Sequence, residues 1–204
     1  MTCATLDFTI LKGKTFSRIL RWETLPLVYK AISAVIQSAP VVISAAGHGL
    51  PDGWRTAVVS VRGMREINAK VSSKGAVPPA SEFHKATVLT ASTISLNDIN
   101  SLEFTPYTSG GTLLYYTPVS LAGATARLQI RATETAAAVL LNLVSPGDIV
   151  LDDTTKTITI TIDASVTKDF TFLTGVYELE ITIGGVVTQL LKGTITVEEE
   201  VVHD

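Results

Sequence analysis

The stretch Lys156-Thr157-Ile158-Thr159-Ile160-Thr161-Ile162 decides the class of the fold. Isoleucine at every second position puts one apolar side on a core and a row of threonines towards water, the period of a strand and not of a helix. Both residue types are β-branched and suit a pleated, half-buried surface. Working outward, residues 176–183 alternate in the same way. Gly184-Gly185 then supplies two positive-φ positions for a tight hairpin, and 186–191 returns. Residues 193–197 form a last strand or continue that one. The run Glu198-Glu199-Glu200 ends it because adjacent like charges resist burial, and the residues beyond are expected to fray. Upstream, 124–131 and 139–143 pair as neighbours, and Ser145-Pro146-Gly147-Asp148 makes a turn before the isoleucine strand. Residues 164–170 close one helical turn with Ser165 as cap. At the other end of the chain, residues 4–11 and 15–22 form a strand pair about Lys12-Gly13-Lys14.

Between residues 33 and 116 turn signals are denser: Gly47-His48-Gly49-Leu50-Pro51-Asp52-Gly53, a Ser, Gly and Pro-rich loop over 70–80, and Ser109-Gly110-Gly111. Short strands at 40–44, 55–61, 84–90 and 113–116 suit a small barrel, in which closure removes exposed edges. The expected fold is all-β: an antiparallel β-sandwich, discontinuous over 1–32 and 117–204, with a small β-barrel inserted over 33–116. An insertion at an exposed loop leaves the host core intact.

Composition narrows the function. The chain has 204 residues, of which 46% are hydrophobic and 17% charged, so it can bury a sizeable core and lies far from the composition of disordered chains. The net charge is -3 and the 16 lysines and arginines are scattered, so no basic stripe is available for a phosphate backbone and no nucleic-acid partner is expected. No apolar run approaches the roughly 20 residues of a membrane span, and MTCATLDFTI lacks the layout of a signal peptide; neither a membrane partner nor Sec export is expected. The single cysteine, Cys3, excludes an internal disulfide framework and a multi-cysteine zinc site.

Chemistry-bearing constellations are sparse. His48, His84 and His203 lack a second ligand at a recurring spacing, and His48, between two glycines, reads as a turn residue bonded to nearby backbone. Asp148, Asp152 and Asp153 lack the alternation of a calcium loop and read as turn residues. Gly110-Gly111 precedes a strand and is no phosphate cradle, and Cys3 has no base to activate it. No catalytic residue, cofactor or metal is expected. Binding candidates remain. Trp54, Tyr107, Tyr115 and Tyr116 could stack on sugars or anchor an interface. Arg127 and Arg131 share a strand face on which Glu178 or Glu180 of another strand could meet them.

Two resemblances add to this reading. Gly47, His48, Gly49 and Leu50, followed by Asp52, Gly53, Gly63, Met64, Ile67 and Asn68, resemble the small β-barrel domain of ubiquitin-activating enzymes, which recurs in tailed-phage proteins. With Ile94-Ser95-Leu96-Asn97-Asp98 and Tyr107-Thr108-Ser109-Gly110-Gly111 the resemblance spans about residues 38–116. It implies no ubiquitin chemistry, which resides in other domains of those enzymes. The flanks, with Trp22, Leu121-Ala122-Gly123-Ala124-Thr125-Ala126-Arg127-Leu128-Gln129-Ile130-Arg131 and Gly175-Val176-Tyr177-Glu178-Leu179, are similar to the N-terminal β-sandwich of phage baseplate upper proteins. The long interval after Trp22 departs from that pattern, and an inserted domain accounts for it. The resemblance implies a virion protein of the tail or baseplate, assembled in the host cytoplasm, with other virion proteins and further copies of itself as partners. Capsid decoration and carbohydrate binding at the host surface are the alternatives.

Overall fold

The computed structural model describes residues 3–73 and 75–199, and its regular elements are almost all strands. The end of the Glu198-Glu199-Glu200 run, the fraying expected after it and His203 lie outside the described residues. In chain order the first strands are β1 (Ala4–Thr5), β2 (Phe8–Leu11) and β3 (Phe16–Leu20). Seven follow: β4 (Glu23–Ala31), β5 (Ala34–Ile36), β6 (Val41–Ser44), β7 (Arg55–Arg62), β8 (His84–Thr90), β9 (Thr93–Leu96) and β10 (Ser109–Pro118). The remainder are β11 (Thr125–Arg131), β12 (Val139–Val144), β13 (Ile149–Asp152), β14 (Thr157–Ile162), the short helix α1 (Ala164–Lys168), β15 (Thr174–Ile183) and β16 (Val186–Glu198).

The chain divides into two compact units, residues 1–22 with 120–204, and residues 23–119. The divisions fall at Trp22 and Ser120, not at 32/33 and 116/117. The reason is β4, which runs antiparallel to β10 from Glu23 opposite Pro118 to Ala31 opposite Thr112 and so belongs to the second unit.

The first unit is sandwich-like. A six-stranded sheet has the order β1-β16-β15-β11-β12, with β2 also on β16, and a three-stranded sheet has the order β13-β14-β3. Ile158, Ile160 and Ile162 of β14 are buried in one cluster with Leu128 and Ile130 of β11 and Leu179 and Ile181 of β15. Gly184 and Gly185 turn the β15–β16 hairpin at φ +56° and +81°. β16 then continues unbroken to Glu198. Gly193 lies inside it because a Cβ there would come within 2.1 Å of the Leu6 carbonyl oxygen. Two local expectations are corrected. β2 and β3 do not pair: β2 lies parallel to β16, burying Phe8 and Ile10, whereas β3 lies antiparallel to β14. The cap of α1 is Asp163, not Ser165; its carbonyl accepts the N–H groups of Val166 and Thr167, both at 3.0 Å.

The second unit is one seven-stranded sheet of order β4-β10-β7-β8-β9-β6-β5 around a core of Trp54, Met64, Ile94, Leu96, Leu113 and Tyr115. The expected barrel is not closed. The ladder ends at β4 on one side and β5 on the other; Ile32 and Ser33 carry the chain from β4 to β5, donating to Gly111 O of β10 at 3.0 Å and to Ser44 O of β6 at 2.9 Å. The described residues between 70 and 80 form no strand. Gly63, at φ +84°, is fixed by its neighbours: a Cβ would lie 2.2 Å from Pro106 O. Among the described residues no helix is long and apolar enough to cross a membrane.

Candidate interaction surface

Alternation on β11, β15 and β16 sends Leu128, Leu179 and Leu191 inward and leaves polar residues on the outer side of the six-stranded sheet. The register assembles them into rows. Arg127 lies opposite Glu180 and Glu180 opposite Gln189, while Gln129 lies opposite Glu178 and Glu178 opposite Lys192. Charge therefore alternates by strand: positive on β11 (Arg127, Arg131), negative on β15 (Glu178, Glu180), positive again on β16 (Lys192). These rows line a shallow concavity of about 460 Å³.

Many of its groups hold one another. Arg127 Nη2 donates to Glu180 Oε2 at 2.7 Å, an exposed pair of the kind that contributes about 1 kcal/mol or less. Arg131 donates to the carbonyls of Ala136 and Ala137, and through Nη2 to Gln129 Oε1 at 3.0 Å. Gln129 Nε2 in turn donates to Asn142 Oδ1 on β12 at 2.9 Å. Asp7 accepts the Thr194 N–H, which holds its carboxyl below the usual range. The sequence placed the two arginines and an opposing glutamate on this face; Gln129, Asn142 and Lys192 it left unmarked, because only the strand register brings them together.

The aromatic candidates sit elsewhere, in the second unit. Trp54 is fully buried and donates from Nε1 to Tyr116 O at 3.0 Å, and Tyr115 is buried with its hydroxyl on the His48 carbonyl. Neither offers a ring face to a partner, since both fill the core of the open sheet. Tyr107 is half-buried and donates to Gly110 O at 3.0 Å, and half-buried Tyr116 packs on Phe83 with ring centroids 5.6 Å apart.

The remaining polar groups serve turns. His48 is buried; its Nδ1 accepts the Leu50 N–H at 3.0 Å, so Nε2 carries the proton given to Thr90 O at 2.9 Å. His84 Nδ1 lies 2.8 Å from Asp98 Oδ2, a pair between β8 and the turn after β9 that no sequence spacing announced. Asp152 binds Thr154 and Thr155, Asp148 binds the Val144 N–H, and Asp153 gathers Lys156, Leu121 N–H and Ser120. The Lys156 ammonium first, then the Leu121 N–H, hold the Asp153 carboxyl down at about 2. Burial pushes the Cys3 thiol up, which disfavours the nucleophilic thiolate. Among the described residues no group of three or more His, Cys, Asp or Glu converges as metal ligands do.

Fold and surface together define an all-β protein with a sandwich-like unit and a second β unit inserted in its sequence. Neither the known protein families nor the curated proteins compared with the chain yield a match.

Proposed function

We propose that the chain is a structural component of a tailed-phage virion, an adaptor or attachment protein of the tail, baseplate or tail-fibre junction that works by multivalent protein–protein assembly. One observation carries this reading: the sandwich-like unit is interrupted in sequence between Trp22 and Ser120, the interval in which the baseplate-like pattern of the flanks is itself broken. The residues that resemble the phage-borne barrel domain support it by acting as a scaffold. Leu50, Met64 and Ile67 are buried, and Asn68 binds both Val61 N at 2.8 Å and Val61 O at 3.0 Å. Side chains used in this way hold a rigid presenting module together. Its partners are other virion proteins and further copies of itself, where repetition supplies avidity without a strong single contact.

Cryo-electron microscopy of the intact particle from the source tests the proposal. Density for this chain around the tail axis, touching tail, baseplate, connector or fibre proteins, is the expected result. Density on the capsid lattice replaces the adaptor with a decoration protein, and absence of the chain from the particle overturns both.

A further inference from the structure

The concavity on the outer side of the six-stranded sheet has no part in the assembly role proposed above, and it is built as a ligand site is. Its volume of about 460 Å³ falls within the range of about 300–1,000 Å³ usual for small-molecule sites. β11, β15 and β16 supply its floor. Thr5 and Asp7, on either side of the break between β1 and β2, line it beyond β16, and Glu134, from the β11–β12 connection, lines it beyond β11.

The bonding pattern separates held groups from free ones. Arg127 is held by Glu180, Arg131 by the Ala136 and Ala137 carbonyls, and Gln129 by Asn142, so these walls are fixed before any ligand arrives. Glu178 and Lys192 are different. They are cross-strand neighbours on β15 and β16, yet no ion pair joins them and neither side chain has a hydrogen-bond partner among the described residues. Glu178 is also half-buried, where a carboxylate without donors is unfavourable. A free acceptor thus stands beside a free donor. Charge is close to balance: Arg127 and Glu180 neutralise each other, and Arg131 and Lys192 stand against Asp7, Glu134 and Glu178. The apolar part of the lining is Val176, half-buried between Arg131 of β11 and Thr194 of β16.

We propose that this concavity binds a short neutral saccharide, with Glu178 and Lys192 as its central contacts. A hydroxyl both donates and accepts, so neighbouring hydroxyls of one sugar ring can donate to the Glu178 carboxylate and accept from the Lys192 ammonium together. A simple anion or cation satisfies only one of the two and meets its own sign on the other. Strands about 4.8 Å apart set the rows of donors and acceptors at about the width of a sugar ring. Val176 and the anchored stem of Arg131 offer the apolar surface that the C–H face of a ring needs. The near balance of charge gives no purchase to a polyanion or polycation. A charged peptide segment, the other occupant such a face could take, would bind through ion pairs that salt screens. The proposal is independent of the virion reading, since it is a property of the purified chain.

Binding of the biotinylated chain, gathered on streptavidin for avidity, to an array of neutral and acidic glycans tests it, followed by calorimetric titration of the unlabelled chain with the best neutral glycan. The expected result is binding of neutral glycans with a Kd on the order of 1 mM or tighter. Glu178→Ala and Lys192→Ala each weaken it at least about tenfold with an unchanged circular dichroism spectrum, because each leaves ligand hydroxyls without a charged partner. Tyr29→Ala, at an exposed aromatic of the second unit, leaves it unchanged. The affinity also stays within about twofold between about 0.05 and about 0.5 M salt. A blank array overturns the proposal. So does binding confined to acidic glycans, binding that both alanine variants leave intact, or an affinity that falls steeply with salt, which would assign the face to a charged ligand.

Discussion

Replacing Leu113 by Ala strikes the centre of the second unit. Leu113 lies on β10 between its two partner strands, opposite Lys30 of β4 and Val58 of β7, and is 0% exposed. The substitution removes three methyl or methylene equivalents, about 2.4 kcal/mol at about 0.8 kcal/mol each. The cavity left behind raises the cost to about 3–4 kcal/mol, because strands on both sides of β10 restrain collapse into the gap. With a urea slope of about 2 kcal/mol per molar, the midpoint falls by about 1.5–2 M. Urea unfolding followed by tryptophan fluorescence in a Trp22→Phe background reads this directly, since buried Trp54 then reports the second unit alone. Leu25→Ala on β4 is the control: Leu25 is 69% exposed, so its loss shifts stability by about 0.5 kcal/mol or less. A Leu113→Ala midpoint within that margin of the parent's, or a Leu25→Ala shift of equal size, refutes the assignment of this core.

Three further outcomes are expected. The Asp153 carboxyl, held at about 2, contributes stability that is complete above the ordinary carboxylate value near pH 4 and is lost as pH falls towards about 2. Acid unfolding curves of Asp153→Asn should lack that component. Burial first, and then the charge of Asp7, push the Tyr177 phenol well above its usual value while its hydroxyl donates to Leu6 O at 2.6 Å. The native state thus keeps a proton that the unfolded chain releases, so stability is full below about pH 10 and declines above it; urea midpoints across this range should flatten in Tyr177→Phe. Gly63→Ala, whose new methyl meets Pro106 O at 2.2 Å, should abolish soluble folded protein, whereas Gly184→Ala, with nothing within 4 Å, should cost only about 1–2 kcal/mol by thermal melting.

What could be read in advance was what local pattern encodes. The Ile-Thr alternation of β14 and the Gly184-Gly185 hairpin carry their own period and turn chemistry, so strand, face and turn follow without knowledge of any partner. β4 carries no such signal: ETLPLVYKA does not alternate and contains Pro26, so no strand is read there and the residues fall within the 1–32 part of the sandwich, and only the pairing with β10 moves the boundary. The turn at Lys12-Gly13-Lys14 suggested a hairpin, yet Phe8 and Ile10 are buried on β16 and β3 pairs with β14; residues remote in sequence settle where both strands go. The interaction face shows the same limit. Arg127 and Glu180 were visible as alternating strand residues, whereas the Gln129–Asn142 and His84–Asp98 contacts depend on registers that no spacing specifies. Trp54 and Tyr115 looked available because aromatics suit both cores and binding platforms, and composition cannot separate the two.

The interruption of one unit by the other orders events during synthesis. Residues 23–119 are contiguous, so the second unit can complete its sheet soon after it leaves the ribosome. The first unit cannot. β3 must wait for β14, and β1 and β2 must wait for β16, the last strand among the described residues. At about 5–20 residues per second that delay is on the order of ten seconds or more, during which Phe8, Ile10 and Phe16 are on the nascent chain with their partners unmade. The inserted unit, folded in the meantime, keeps its own 97-residue stretch out of competition for those waiting strands, so the correct pairings are chosen among fewer rivals.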